Sequence, residues 1–283
     1  MDPRAWRRFR KNKGALAGAV LVALVTLTAI LGPILAPHDP NEQQRETLIN
    51  DEFEPAAPFE VEGHWLGADS TGRDELSRLL WGGGISMMVA YLATALAIFI
   101  GMVAGITSGY FGGWIDFGWM RLVDLLLSLP FLLIAIAIQG VVEDPSLFFL
   151  ILLLALLSWT RLARVTRSKV LQVRELEYIQ AALALGMSHT RVLLRHVLPN
   201  VLGPIIVLGT TLVARMIIFE SALSFLGLGV DPPDASWGSM LNEGRQQLAY
   251  PRLMLFPATL IVMTVFGFNL LGDGLRDAFD PKD

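Results

Sequence analysis

Hydrophobic positions in this chain gather into six long blocks, at 14–36, 86–108, 120–141, 146–162, 200–219 and 253–271, parted by stretches rich in charge, glycine and proline. Each block is apolar all round rather than along one stripe, which suits a helix in lipid. Crossing about 30 Å of hydrocarbon takes about 20 residues at about 1.5 Å each. The pattern predicts an all-α polytopic membrane protein with six transmembrane helices. A cleaved leader competes for the first block, but its apolar region would run to about 7–15 residues, so a retained span is expected. Gly101 and Gly105 lie four apart on one face of the second span and would let another helix come close. Pro130 is expected to bend the third span, which neighbouring helices can tolerate. Glu143-Asp144-Pro145 marks the turn into the fourth.

The intervening segments differ in kind. Residues 37–80 are polar and acidic; Pro37, Pro40, Pro55 and Pro58 argue against long helices, and the run from His64 to Arg78 is dense in turn and capping residues. The acidity could attract a cationic patch on a partner or substrate, although solvation of a surface loop is the simpler cause. Residues 221–252 are apolar yet full of turn formers, as expected of a docking surface or a partly embedded plug.

Residues 163–199 do not look like membrane. Tyr178, Ala181, Ala182 and Leu185 recur at three- and four-residue steps, and Val192, Leu193, His196 and Val197 come round in the same way beyond a break at Gly186-Met187-Ser188. Ser188 can cap the second of two short helices, and Pro199 is expected to close it. Such a bent pair could hand a partner a small apolar stripe edged with polar groups, while an ordinary hairpin between two spans has the same periodicity.

Charge orients the spans. Of the 22 Lys and Arg residues, sixteen fall in the N-terminal segment, before the third span, in 163–199 with its approach, and in the tail; five fall in the two loops on the other side. Arg215 alone is left within a span. By the positive-inside rule both termini face the cytoplasm. At 53% hydrophobic residues and mean hydropathy +0.53, a soluble domain is excluded. Without cysteine there is no disulfide or thiolate metal site, and His38, His64, His189 and His196 stand singly in loops, so no metal site is expected. No Gly-x-x-x-x-Gly-Lys-Ser/Thr run occurs, so the chain has no recognisable ATP-binding loop, and no enzymatic chemistry of its own is expected. Arg215 and Glu220 are the candidates for a translocation path, because an ionisable group at membrane depth normally faces protein or a water-filled cavity. Arg215 would line the route or pair with a carboxylate on a partner helix; alternatively it snorkels to the interface near Glu220.

The spacing Gln180-Ala181-Ala182, three residues, Gly186, nine residues, His196, one residue, Leu198-Pro199 resembles the EAA loop of ABC-type import permeases, whose usual form is Glu-Ala-Ala, Gly, Ile, Leu-Pro. Gln180 stands for Glu and His196 for Ile. The run Arg195 to Asn200, the segment His64 to Arg78 and the stretch Leu223 to Leu241 resemble the dipeptide, oligopeptide and nickel permease subgroup, and the likeness covers nearly the whole chain.

The resemblance implies a type I ABC importer permease fold: a basic N-terminus at 1–13, a first span at 14–36, an outer loop at 37–80, a core of five spans at 81–275 and a tail at 276–283. Within the core it implies a coupling loop at 163–199 and an outer loop at 221–252. Glu177, Gln180, Ala181, Ala182, Gly186, His196, Leu198 and Pro199 would form the ATPase-coupling site. The implied partners are a second homologous permease subunit, two ABC ATPase subunits that bind ATP and Mg2+, an extracytoplasmic solute-binding protein and the lipid bilayer of a bacterial or archaeal inner membrane. No cofactor on this chain and no nucleic acid are implied. Di- or oligopeptides are the implied cargo, with nickel or another small solute as the alternative. An ion-coupled secondary transporter is the reading from another class; its internal repeats and paired intramembrane charges are not seen in the sequence.

Overall fold

The basic start of the chain winds into α1 (Pro3–Lys11), after which Asn12 caps α2 (Lys13–Leu35) by accepting the Ala15 amide at 3.1 Å. The structure is a computed structural model describing residues 3–142 and 146–279, so the turn expected at Glu143-Asp144-Pro145 lies outside it. Leu24, Leu27, Ile30 and Ile34 leave α2 with an exposed apolar surface, as a lipid-facing span requires. Beyond it come the short helix α3 (Arg45–Leu48) and two isolated bridges, Ile49 with Pro55 and Ala68 with Asp74; no strand forms among the described residues.

Asp74 accepts the Ser77 amide at 2.8 Å and so starts α4 (Glu75–Phe111). Its 37 residues extend about 55 Å, well beyond the hydrocarbon thickness, so its ends stand clear of the membrane. α5 (Gly113–Ser128) and α6 (Phe131–Gln139) meet at Leu129-Pro130 with an 86° bend. Pro130 does bend the third apolar block, far more sharply than a kink, into two helices that form either a broken span or a re-entrant loop. Among the described residues five helices are long and apolar enough to cross a membrane, and the bent pair, taken as one span, makes six.

α7 (Leu147–Arg174) runs well past the end expected at 162. Its continuation carries arginines on one side but buries Thr166, Val170 and Val173 on the other, which keeps it helical against α4. The close approach expected at Gly101 and Gly105 is made to α7. A Cβ added at 101 would lie 2.7 Å from Leu162 Cβ, and one at 105 would lie 2.5 Å from Thr166 Cβ. Gly109 continues the stripe against the Arg167 carbonyl.

After α7 come α8 (Glu177–Ala184), α9 (His189–Val192), a π-helical turn (Leu193–Val197), α10 (Leu198–Phe225), α11 (Trp237–Arg245) and α12 (Arg252–Phe279). Of the tail expected at 276–283, residues 276–279 continue α12, and 280–283 lie outside the described residues. Ala278 packs with Phe9 and Ala15, and Asn12 Nδ2 donates to Asp277 Oδ2 at 3.1 Å. The N-terminal helices, the end of α12 and the start of α10 therefore share one end of the bundle, Phe279 lying beside Gly203.

The stretch 221–252 divides between surface and core. Part of its apolar surface is displayed, at Leu226 and Leu248, but Ala235, Trp237 and Met240 are buried. Ser236 and Ser239 cap α11 reciprocally, and Gly238 sits so close to α10 that an added Cβ would lie 2.6 Å from Ser221 Cα. Leu223, Ala235, Trp237 and Met240 thus belong to the core while residues 231–234 stay exposed, so the segment is partly embedded.

Candidate functional site

The bent segment at the end shared with the termini is built on a small apolar core of its own. Tyr110, Val170, Val173, Ile179, Val192, Val197, Val201 and Ile205 are buried together, joining α4, α7, α8, α9, the π turn and α10. Gln180 Nε2 donates to the Arg174 carbonyl at 2.8 Å and closes the end of α7. Glu177 is exposed in the first turn of α8, where the helix dipole favours a negative charge.

α8 ends in a paired cap. Gly186 N donates to the Leu183 carbonyl at 2.9 Å and Met187 N to the Ala182 carbonyl at 3.1 Å, with Gly186 at φ +83°. A residue in that left-handed conformation is what this cap demands, and glycine takes it without penalty. The bend at Gly186-Met187-Ser188 is where the sequence placed it. Ser188 occupies the capping position of α9, but its side chain makes no capping bond.

Pro199 does not close a second short helix. From His189 to Phe225 the chain is one continuous rod, because the π turn shifts the hydrogen-bond pattern just ahead of Pro199, with Leu198 N donating to the Leu193 carbonyl. Asn200 Nδ2 donates to the His196 carbonyl at 2.6 Å and to Tyr178 Oη at 3.2 Å, tying the rod to α8. The half-buried His196 ring meets Tyr178 edge-on with centroids 6.0 Å apart.

The apolar stripe also differs from the expected one. Ala182, Val192 and Val197 turn inward, while Tyr178, Ala181, Leu185 and Leu194 face out, Leu185 with 88% and Leu194 with 63% of its surface exposed. Leu198 is half-buried and Pro199 exposed. Tyr110 Oη lies 2.8 Å from His189 Nδ1, and Arg174 donates to the Tyr110 carbonyl at 3.1 Å. These bonds tie α9 and the end of α7 to α4, beside the core that α8 shares with α4, α7 and α10.

Arg215 and Glu220 are not brought together. Glu220 is fully buried and accepts from Ser224 Oγ at 2.9 Å, Ser86 Oγ at 3.1 Å and Ser221 Oγ at 3.3 Å; the Trp237 amide donates to the same Ser86 hydroxyl. It joins α4, α10 and α11. Arg215 instead lines a cavity of about 150 Å³ with Arg161, Ser158, Thr160 and apolar residues from the α5–α6 break, α7 and α10. Sequence reasoning counted Arg161 with the cations of the loop that follows, although it falls at the end of the block 146–162. A helix continuing through 174 puts it alongside Arg215, and the continuing helical periodicity was the available signal.

At the opposite end, residues 37–80 are clamped onto α11 by ion pairs. Arg73 Nε lies 2.7 Å from Asp69 and its NH2 lies 2.9 Å from Glu243; the fully buried Arg78 also lies 2.9 Å from Glu243 and 3.4 Å from Asp69. Burial alone would raise the Asp69 carboxyl, but Arg73 and Arg78 outweigh it and hold that group below the ordinary carboxylate range. Within 37–80 the ion pairs answer only Asp69 and Asp74. The histidines are not all solitary either. His38 stacks on His64 at 4.1 Å, and His64 Nδ1 lies 2.7 Å from Asp74 Oδ1. His38 Nδ1 also lies 3.9 Å from Asp74 Oδ1, so His38, His64 and Asp74, expected to offer no metal site, bring three possible ligand atoms within 4.8 Å of one another beside the start of α4.

Residues 97–282 match the family described as binding-protein-dependent transport system inner membrane component, and residues 4–55 match the N-terminal TM domain of oligopeptide transport permease C. The chain is 40% identical over 280 residues to the dipeptide transport system permease protein DppC of Bacillus subtilis, covering 98% of this chain and 85% of that protein. It is 40% identical over 280 residues to the oligopeptide transport system permease protein OppC of Escherichia coli K12, covering 99% and 90%. A crystal structure of an amino acid ABC transporter with histidines aligns at TM-score 0.52 and 17% identity over 71% of this chain and 92% of its own, a likeness of fold alone. With a family model over most of its length and such relatives over nearly all of it, this chain belongs to the binding-protein-dependent transport system inner membrane components, the permease subunits of ABC importers.

Proposed function

We propose that this chain forms half of the translocation pathway of an ATP-driven importer of di- or oligopeptides and receives force from an ATPase subunit through α8 and the Gly186 bend. The observation that carries this is mechanical. α8 shows Tyr178, Ala181 and Leu185 to the outside while Ile179 and Ala182 root it in a core shared with α4, α7 and α10. A partner holding that face can move three spans at once, and ATP must bind one of the resulting states better than the other for transport to be driven. Glu177, Gln180, Ala181, Ala182, Gly186, His196, Leu198 and Pro199 make up the coupling site, some by contact and some, like Ala182 and His196, by shaping it.

The remaining subunits in this reading are a second homologous permease, two ATPases carrying ATP and Mg2+ inside, and a solute-binding protein outside. Both termini and α8 face the cytoplasm. Peptide cargo is supported by the likeness to dipeptide and oligopeptide transport permeases. The test is reconstitution of the full complex in proteoliposomes with ATP enclosed. Uptake of labelled peptide that needs the binding protein and stops without ATP is the expected result. Uptake of nickel or another solute but not peptide would overturn the cargo, and uptake without ATPases would overturn the mechanism.

A further inference from the structure

Arg161 and Arg215 line the same two adjoining cavities, of about 150 and about 30 Å³. Arg161 lies about 21 Å along α7 from its first residue, and Arg215 about 15 Å from the last residue of α10, so both stand well inside their helices. They are near enough for their like charges to repel. Among the described residues neither has an ion pair, a hydrogen bond or an aromatic ring to balance it. The other nearby arginines do: Arg164 pairs with Asp124 and Arg167 holds Asp116 with two bonds. Two unanswered guanidinium groups at membrane depth are costly unless they face water or an anion.

The surroundings give the site a shape. Ser158 and Thr160 supply hydroxyls, Leu126 to Phe131 cross the α5–α6 break beside it, and Leu212 and Phe219 complete the wall. One turn beyond Arg215, Phe219 stacks on Phe131 at 3.9 Å and roofs the cavity. Guanidinium is the cation whose planar donors fit a carboxylate with two parallel bonds.

We propose that Arg161 and Arg215 form a way-station for the carboxylate of the transported peptide. This rests on the peptide-permease reading above. The carboxylate neutralises the pair while it is bound, and the repulsion between the guanidinium groups returns when it leaves, which keeps the station shallow enough to release its cargo.

The experiment uses the complete complex in proteoliposomes, with one peptide in two forms, free acid and C-terminal amide, and compares Arg161→Gln and Arg215→Gln with the wild type. Dividing each variant's uptake by the wild-type uptake of the same peptide cancels selection by the binding protein. Free-acid uptake should fall about tenfold or more, since a hydrogen bond to a charged group is lost, while amide uptake stays within about twofold. Should the binding protein refuse the amide, Arg161→Lys and Arg215→Lys serve instead. Uptake within about threefold of wild type supports the station, because charge without the fork still attracts a carboxylate, whereas uptake as low as in the Gln variants overturns it. Equal loss for both peptides would mean a structural or lipid-anchoring role, and no loss for either would mean no role; each overturns the proposal while leaving the peptide reading intact. A wild-type complex that takes up no peptide would overturn both.

Discussion

Replacing Gly186 by alanine isolates the conformational cost of the bend. Gly186 sits at φ +83°, and an added Cβ would meet nothing within 4 Å, so the substitution creates no collision. What it costs is the left-handed backbone, about 1–2 kcal/mol for an ordinary L-residue. That is enough to reduce the population of the capped α8 end about 5–30-fold relative to uncapped alternatives. The bonds from Gly186 N and Met187 N then form less often, and α8 loosens from its base without any change in the spans. Peptide taken up per ATP hydrolysed, measured in the reconstituted complex, should fall by a comparable factor in Gly186→Ala while the purified complex stays intact. Gly186→Asn, which tolerates the left-handed region, should lie between the two. If Gly186→Ala couples as well as the wild type, or if Asn and Ala behave alike, the reasoning from backbone conformation to coupling fails.

Further tests address the framework around that bend. Gly105→Leu should destabilise the α4–α7 contact by about 1–3 kcal/mol or more, because Thr166 and the Ala163 carbonyl already fill the space; thermal melting of the nanodisc-embedded complex reads this. Glu220→Leu leaves the Ser86, Ser221 and Ser224 hydroxyls without their acceptor at about 1–3 kcal/mol each, whereas Glu220→Gln should lose much less, so their melting temperatures should separate. Glu243→Ala removes a partner of the buried Arg78 and should cost about 3–5 kcal/mol at most, seen as faster hydrogen exchange in 37–80. Asp69 gives the pH dependence. A carboxyl held below its ordinary value of 3.8 contributes its stability in full above that pH and loses it as pH falls through the lowered folded-state value. Protease resistance of residues 37–80 should thus persist at pH 5 and fall away only below about pH 4 in the wild type, with Asp69→Asn already sensitive at neutral pH.

Much of this architecture was legible because lipid imposes a simple rule. Unbroken apolar length marked the spans, and glycine spacing at 101 and 105 marked a close contact, although which helix filled it was a tertiary matter. What escaped notice depended on hydrogen bonding and direction. Pro199 reads as a helix stop until a π turn ahead of it rearranges the bonding; Ala182 and Leu185 recur on one stripe of α8, yet one is buried and the other exposed. Arg161, at the end of an apolar block, was grouped with the cytoplasmic cations because hydropathy measures where apolar residues cease, not where a helix ends. Trp237 and Met240 suggested an exposed loop because nothing local announces that Glu220 and Ser86 will receive it. His38 and His64, far apart in sequence, meet only because the outer segment folds back over the start of α4.

The mechanical claim can be tested most directly by cross-linking, since the chain has no cysteine of its own. Leu185→Cys, at the exposed apolar residue that caps the end of α8, can be combined with single cysteines on the ATPase surface in the assembled complex. The account predicts a cross-link to the ATPase that changes in yield with ATP, and no labelling of Leu185→Cys by an impermeant maleimide added outside intact cells. Labelling from outside, or a complex in which Leu185→Cys reaches no ATPase position in any nucleotide state, would contradict it.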